Sequence, residues 1–270
     1  MEGAIPSTEV DTVGSRLSVL YMGGRSIVLP VATAIVAILA WQVIVTLAKV
    51  PPAILPPPST IFQILVKFYP LILSHTVPTT LETLLAFGIS VPLGIALAAV
   101  MTYSKTIYQA LFPNLIFFQL IPKIALAPLF IVWLGISTQS RVAFSVFITF
   151  FPILIATAAG LQSVDRDMLK LCRSVKASDW QILVHVRFPY ALPYIFSGMK
   201  VAVTLAIIGI VVGEFIASQA GLGYLIMFAS SRQETALSLA CITALCIVGL
   251  ILYGLVVLGE VLMERWYGSR

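Results

Sequence analysis

Residues 165–198 read DRDMLKLCRSVKASDWQILVHVRFPYALPYIFSG, a polar, net basic stretch set between long apolar runs. A chain that concentrates charge in one loop places that loop in water, where it can meet a soluble partner. Leu169, Cys172 and Val175 recur at three-residue spacing and predict a short helix over Met168–Val175. A second short helix is expected from Asp179 to about Arg187, with Trp180, Leu183 and Val184 on one side. Pro189 and Pro193 bracket the start of the next apolar run. A helical elbow with apolar and basic faces suits docking into a groove on another protein. A cytoplasmic loop that merely carries the usual positive charge has the same composition, so composition leaves both readings open.

The flanking sequence explains why the loop stands out. Of 270 residues, 60% are hydrophobic and only 10% charged, whereas soluble domains carry roughly 25% charged residues. Such a chain cannot cover a globular surface, which excludes a soluble enzyme or binding module. The net charge of +5 is small and sits mostly in loops, a topology signal with no nucleic-acid footprint in it. The fold class is an all-α integral membrane protein.

A spanning helix needs about 20 mainly apolar residues. Six stretches meet this: Ile27–Ala48, Thr83–Tyr103, Thr106–Ser140, Val142–Leu161, Tyr190–Ala217 and Thr235–Gly259. The first has 22 uncharged residues, longer than the roughly 7–15 of a signal peptide's apolar core, and is read as a retained span. The third contains Pro113, Pro122 and Pro128 and should be broken or kinked near its middle. In the first outer loop, Pro51-Pro52 and Pro56-Pro57-Pro58 precede Ser59, a candidate N-cap. Ile61, Leu65 and Phe68 share one face, which predicts a short helix lying on the membrane surface.

With the N-terminus inside, ten Lys and Arg residues fall on the cytoplasmic side, and four (Lys49, Lys67, Arg141, Arg232) fall outside. That bias puts both termini in the cytoplasm. Residues 1–26 are then a loosely ordered cytoplasmic tail, 27–266 the six-span domain with a cytoplasmic loop over 163–190, and 267–270 a short tail.

Catalytic signatures are missing. The sequence contains no G-x-x-x-x-G-K-[ST], no H-E-x-x-H and no G-x-S-x-G, and His75 and His185 fall on opposite sides of the expected membrane. Cys241 and Cys246, five residues apart, lie roughly 140° apart around a helix and do not form a metal pair. Intramembrane charge is costly and points to function. Lys123, beside Pro122, and Glu214, near the outer end of the fifth span, are candidate pathway residues that face water or pair with each other. Lys200, near the inner boundary, is expected to snorkel. Gly209 and Gly213 make a small-xxx-small pair that favours close helix packing.

The loop resembles the EAA loop of ATP-binding cassette (ABC) importer permeases, whose pattern E-A-A-x-x-x-G is followed downstream by x-L-P. Here Lys170-Leu171-Cys172-Arg173-Ser174-Val175-Lys176-Ala177-Ser178 occupies the motif, with Phe188-Pro189 and Ala191-Leu192-Pro193 downstream. The likeness extends to Leu55-Pro56-Pro57-Pro58-Ser59, Ile121–Leu129, Val132-Trp133-Leu134-Gly135, Gly213-Glu214-Phe215 and Gly221–Ile226. Together these look like permeases of the nitrate/sulfonate/taurine group over roughly residues 27–266. Two positions depart from the pattern: Lys170 stands where the family has an acidic residue, and Lys176 where it has glycine. A lysine forced into left-handed backbone there costs on the order of 1–2 kcal/mol, so either the turn is built differently or the chain tolerates strain.

The resemblance implies a type I (MetI-like) importer permease in the bacterial inner membrane, carrying no catalysis and no cofactor of its own. ATP and Mg would be held by cytoplasmic ABC ATPase subunits. Contact with the ATPase would fall on Lys170, Leu171, Cys172, Arg173, Ser174, Lys176, Ala177, Ser178, Asp179, Trp180 and Pro189. A second permease copy, a periplasmic or lipid-anchored solute-binding protein and membrane lipid complete the partners. The group implies a small solute: a sulfonate-, nitrate- or taurine-type anion, or a pyrimidine or flavin vitamin precursor. An ion-gradient-driven secondary transporter is the alternative, but it would be expected to show internal symmetry and more intramembrane carboxylates.

Overall fold

A computed structural model describes residues 10–267, and every regular element among them is helical, with no strand. The helices are α1 Val10–Leu47, α2 Pro58–Lys67, α3 Tyr69–Tyr103, α4 Lys105–Leu120, α5 Ala127–Leu134, α6 Thr138–Gln162, α7 Arg166–Ser174, α8 Asp179–Ile182, α9 Phe188–Ala217, α10 Leu222–Ser231 and α11 Thr235–Tyr267. Five are long and apolar enough to span a membrane, and the bent pair Thr106–Leu120 and Lys123–Leu134 makes a sixth if it crosses as one span. Within a bilayer every backbone N–H and C=O must be satisfied by the chain itself, which leaves helices as the form open to these runs.

The chain forms two compact units, residues 1–63 and 64–270. In the first, α1 begins at Val10, inside the stretch read as a tail, and its apolar span is Val28–Leu47. Residues 1–9 and 268–270 of the expected tails lie outside the described residues. Helix α2 forms where the surface helix was expected, but it starts two residues early. Pro58 opens it, where a missing N–H costs nothing, and Ser59 is not the N-cap. The Ser59 N–H instead donates to Gln42 Oε1 at 3.0 Å.

In the second unit α6 is central and packs along α9 and α3. Close approach is built from small residues. A Cβ on Gly209 would stand 2.8 Å from the Ser145 Cα, and one on Gly198 3.0 Å from the Pro152 carbonyl oxygen. The close-packing reading of Gly209 and Gly213 therefore holds, since Gly213 lies against the Arg141 side chain. Hydroxyls on α3 are absorbed within the helix: Thr76, Thr80, Thr83 and Ser90 each donate to the carbonyl four residues back.

The third span breaks where proline dictates. Ile121 precedes Pro122 and is pushed out of helical backbone to ψ 131°, and the two halves meet at 81°. Helix α5 stops at Gly135, whose φ of +77° is left-handed, and Ser137 opens α6 with a capping box to Ser140. The second span is longer than expected, since α3 already begins at Tyr69. Helix α10 is an addition that its short length hid from a search for spans.

Candidate functional site: the basic elbow and the buried polar cluster

The elbow folds as two short helices with a tight turn between them. Asp165 caps α7 by accepting the Asp167 N–H at 3.0 Å. At the far end, Lys176 N–H donates to the Arg173 carbonyl and Ala177 N–H to the Cys172 carbonyl, both at 3.0 Å. This pair of bonds is the Schellman stop, which requires left-handed backbone at the residue after the cap. Lys176 supplies it with φ +57°. The chain therefore builds the turn that the family's glycine would build and tolerates the strain. Ser178 then caps α8 through a reciprocal box with Gln181.

The second elbow helix does not end before the fifth apolar run. Residues Leu183–Arg187 form a π turn that carries α8 directly into α9, with Phe188 N–H bonded to the Leu183 carbonyl. Pro189 and Pro193 lack N–H donors, and a wide turn just before them lets the helix pass without breaking. The prolines therefore lie within one continuous rod and do not separate two segments. Arg187 ties that rod to the end of α3 by donating to the Thr102 carbonyl at 3.3 Å, while Ile182 is buried beneath it.

What the elbow shows to solvent is mixed. Leu171, Val175 and Trp180 are 61%, 72% and 67% exposed. Lys170, Arg173, Ser174, Lys176, Ser178 and Asp179 are exposed around them, and Cys172, Ala177 and Pro189 are half-buried. Lys170 pairs with Asp167 at 2.8 Å, with both side chains largely in water. Such a pair contributes about 0–1 kcal/mol, so the lysine can leave it for a partner.

At the other end of α9 lies a buried polar cluster. Glu214 is 2% exposed. Its Oε1 accepts from Thr79 Oγ1 at 2.7 Å and its Oε2 from Gly223 N–H at 2.7 Å. Thr79 Oγ1 in turn accepts the Leu222 N–H at 2.8 Å, and His75 Nδ1 accepts the Gly221 N–H at 3.1 Å. Three orphan donors at the start of α10 are thus satisfied from α3 and α9, and a carboxylate sits at the positive end of the helix. Gly221, at φ +102°, leaves the room, since a Cβ there would collide with the Glu214 carboxyl.

Beside it, Arg141 of α6 binds Glu82 of α3 through Nε–Oε2 at 2.9 Å and Nη2–Oε1 at 2.5 Å, and donates to the Ala217 carbonyl at 3.3 Å. Thr138 adds a bond to Glu82 Oε1 at 3.0 Å. Sequence reasoning had counted Arg141 as a loop charge and overlooked Glu82, one residue before the second expected span.

Lys123 sits on the short 3₁₀ turn Lys123–Leu126, with Nζ 4.8 Å from the Phe151 ring centroid. It and Glu214 are engaged elsewhere and do not pair with each other. Lys200 does not simply snorkel: it meets Glu260 of α11 at 2.5 Å, one residue beyond the expected end of the sixth span.

Residues 90–264 match the family of binding-protein-dependent transport system inner membrane components. A probable ABC transporter permease of Haemophilus influenzae is 36% identical over 78% of this chain and 86% of its own length. A riboflavin transport permease of Chloroflexus aurantiacus is 36% identical over 89% and 90%, and a taurine transport permease of Escherichia coli 28% identical over 91% and 92%. With its apolar spans and solvent-facing elbow, this chain belongs to the binding-protein-dependent inner membrane component family, as the multi-pass, non-enzymatic permease subunit of an ABC importer that works with ATPase and solute-binding partners.

Proposed function

We propose that two identical copies form the translocation path, with termini in the cytoplasm and an ATPase gripping each elbow. The exposed apolar residues Leu171, Val175 and Trp180, ringed by Lys170, Arg173 and Lys176, carry this reading. They have the composition of a binding hot spot with a charged rim. The rod from Asp179 to Ala217 is one continuous helical run, which gives a displacement at the elbow a path to the buried cluster. ATP and Mg are bound by the partner, whose closure favours one arrangement of the permease pair over the other. Lys123, at the bend of the third span, lines the path. Glu214 serves it by holding the start of α10.

For the solute, a planar vitamin precursor of the flavin or pyrimidine kind is the leading reading, because identity to the riboflavin permease exceeds that to the taurine permease over similar lengths. A sulfonate-, nitrate- or taurine-type anion is the second. Uptake of labelled riboflavin, an aminopyrimidine and taurine into vesicles holding the assembled importer separates them. Uptake of a ring compound supports the first reading, and uptake of taurine alone overturns it.

A further inference from the structure

We infer that the cleft between the elbow and the end of α3 binds the phosphate of an anionic phospholipid headgroup, held between Arg173 and Arg187. A cavity of about 130 Å³ lies there, walled by Tyr103 of α3, Arg173 of α7, Asp179 of α8 and Arg187 of the π turn, with Leu169 and Ile182 as apolar lining. A water takes roughly 30 Å³ in the liquid, so the space suits one phosphate-sized group. It is too small for a drug-sized or nucleotide-sized ligand, which needs about 300 Å³ or more.

The donors of this cavity are not used up within the fold. Arg187 Nη1 donates to the Thr102 carbonyl at 3.3 Å, but its Nε is buried and has no hydrogen-bond partner among the described residues. The ion pairs among those residues are Arg141–Glu82, Lys170–Asp167 and Lys200–Glu260, so Arg173, Asp179 and Arg187 belong to none. A buried nitrogen left unpaired calls for a partner, and the guanidinium fork matches phosphate oxygens in geometry. Two guanidiniums against one carboxylate leave a single positive charge, which one phosphodiester neutralises. A zwitterionic headgroup would bring a further cation to the same cleft.

Position selects lipid as the source of the phosphate. Tyr103 closes α3 and Phe188 opens α9, and both helices belong to runs long and apolar enough to span a membrane. The cavity therefore sits at the level where two spans leave the hydrocarbon. Tyr103 and Tyr190 are 66% and 51% exposed at this end, the placement that aromatic side chains take at a membrane interface. Basic pockets between helices at that level take lipid headgroups. A lipid held here would bridge α3, α7 and the rod that runs into α9, and so steady the elbow against the end of α3.

The test holds the full-length permease in nanodiscs of phosphatidylcholine with a minor share of phosphatidylglycerol, and counts the lipid retained after release by native mass spectrometry. Phosphatidylglycerol should be retained in preference to phosphatidylcholine. Arg173→Gln and Arg187→Gln should each weaken that retention about tenfold, as loss of one charge-assisted hydrogen bond does, and Arg173→Lys should fall between the parent and Arg173→Gln. Should Arg187→Gln fail to fold, Arg173→Gln on the exposed elbow surface carries the same test. Equal retention of the two lipids, or an unchanged preference in the variants, overturns the site. Binding of inorganic phosphate to the permease in pure phosphatidylcholine nanodiscs, lost in the same variants, makes it a site for soluble anions and overturns the lipid assignment. Release of the lipid when the ATPase docks gives the two guanidiniums to a partner carboxylate and overturns it as well.

Discussion

Arg141 and Glu82 meet in parallel, Nε to Oε2 at 2.9 Å and Nη2 to Oε1 at 2.5 Å, with side chains only 11% and 8% exposed. The pair joins α6 to α3, and the bond from Arg141 to the Ala217 carbonyl brings in α9. A buried pair is expensive to break on one side, because the remaining charge stays buried without a partner.

Glu82→Gln should therefore lower stability by about 3–5 kcal/mol. The double variant Glu82→Leu with Arg141→Met should lose less than either single change. Thermal unfolding of the purified chain in detergent reads this directly, and additive losses would contradict the pairing.

Gly221→Ala should be strongly destabilising, since the added methyl meets the Glu214 carboxyl and the backbone is left-handed. Gly88→Ala is the control: nothing lies within 4 Å of its Cβ position, and alanine gains roughly 0.5–1 kcal/mol over glycine inside a helix. The two variants should move the unfolding temperature in opposite directions.

Lys176→Gly should stabilise the chain by about 1 kcal/mol by removing left-handed strain. If Lys170 and Lys176 meet acidic residues of the cognate ATPase, Lys170→Glu with Lys176→Gly should nonetheless reduce ATP-driven uptake. Higher stability with full coupling would show that the lysines are tolerated and have no role in recognition.

Trp180→Ala should leave the unfolding free energy within about 0.5 kcal/mol of the parent, as surface changes do. Capture of the ATPase should fall by at least roughly tenfold, as for an aromatic interface anchor. Titration of the ATPase onto nanodisc-held permease measures it.

The residues show why some of this was legible in sequence and some was not. Uncharged runs announce spans because lipid forbids anything else, and Pro122 announces the bend because it restricts Ile121. The elbow was visible as charge among apolar residues. The Glu82–Arg141 pair was not, because the partners are 59 residues apart and each lies at a span boundary, where a charge reads as a loop residue. Glu214 was visible as a costly charge, but its role as a cap depends on Thr79, 135 residues away. The continuity of α8 with α9 was hidden by prolines that usually mark an end, and only the π turn shows how the helix passes them.

The most direct measurement compares solute uptake by proteoliposomes holding this chain alone, under a proton or sodium gradient, with uptake by the same chain joined to its ATPase and binding protein. Uptake should occur only in the complete assembly, require ATP, and vanish when the elbow is uncoupled by Trp180→Ala with Leu171→Asp. Gradient-driven uptake by the chain alone would contradict the account.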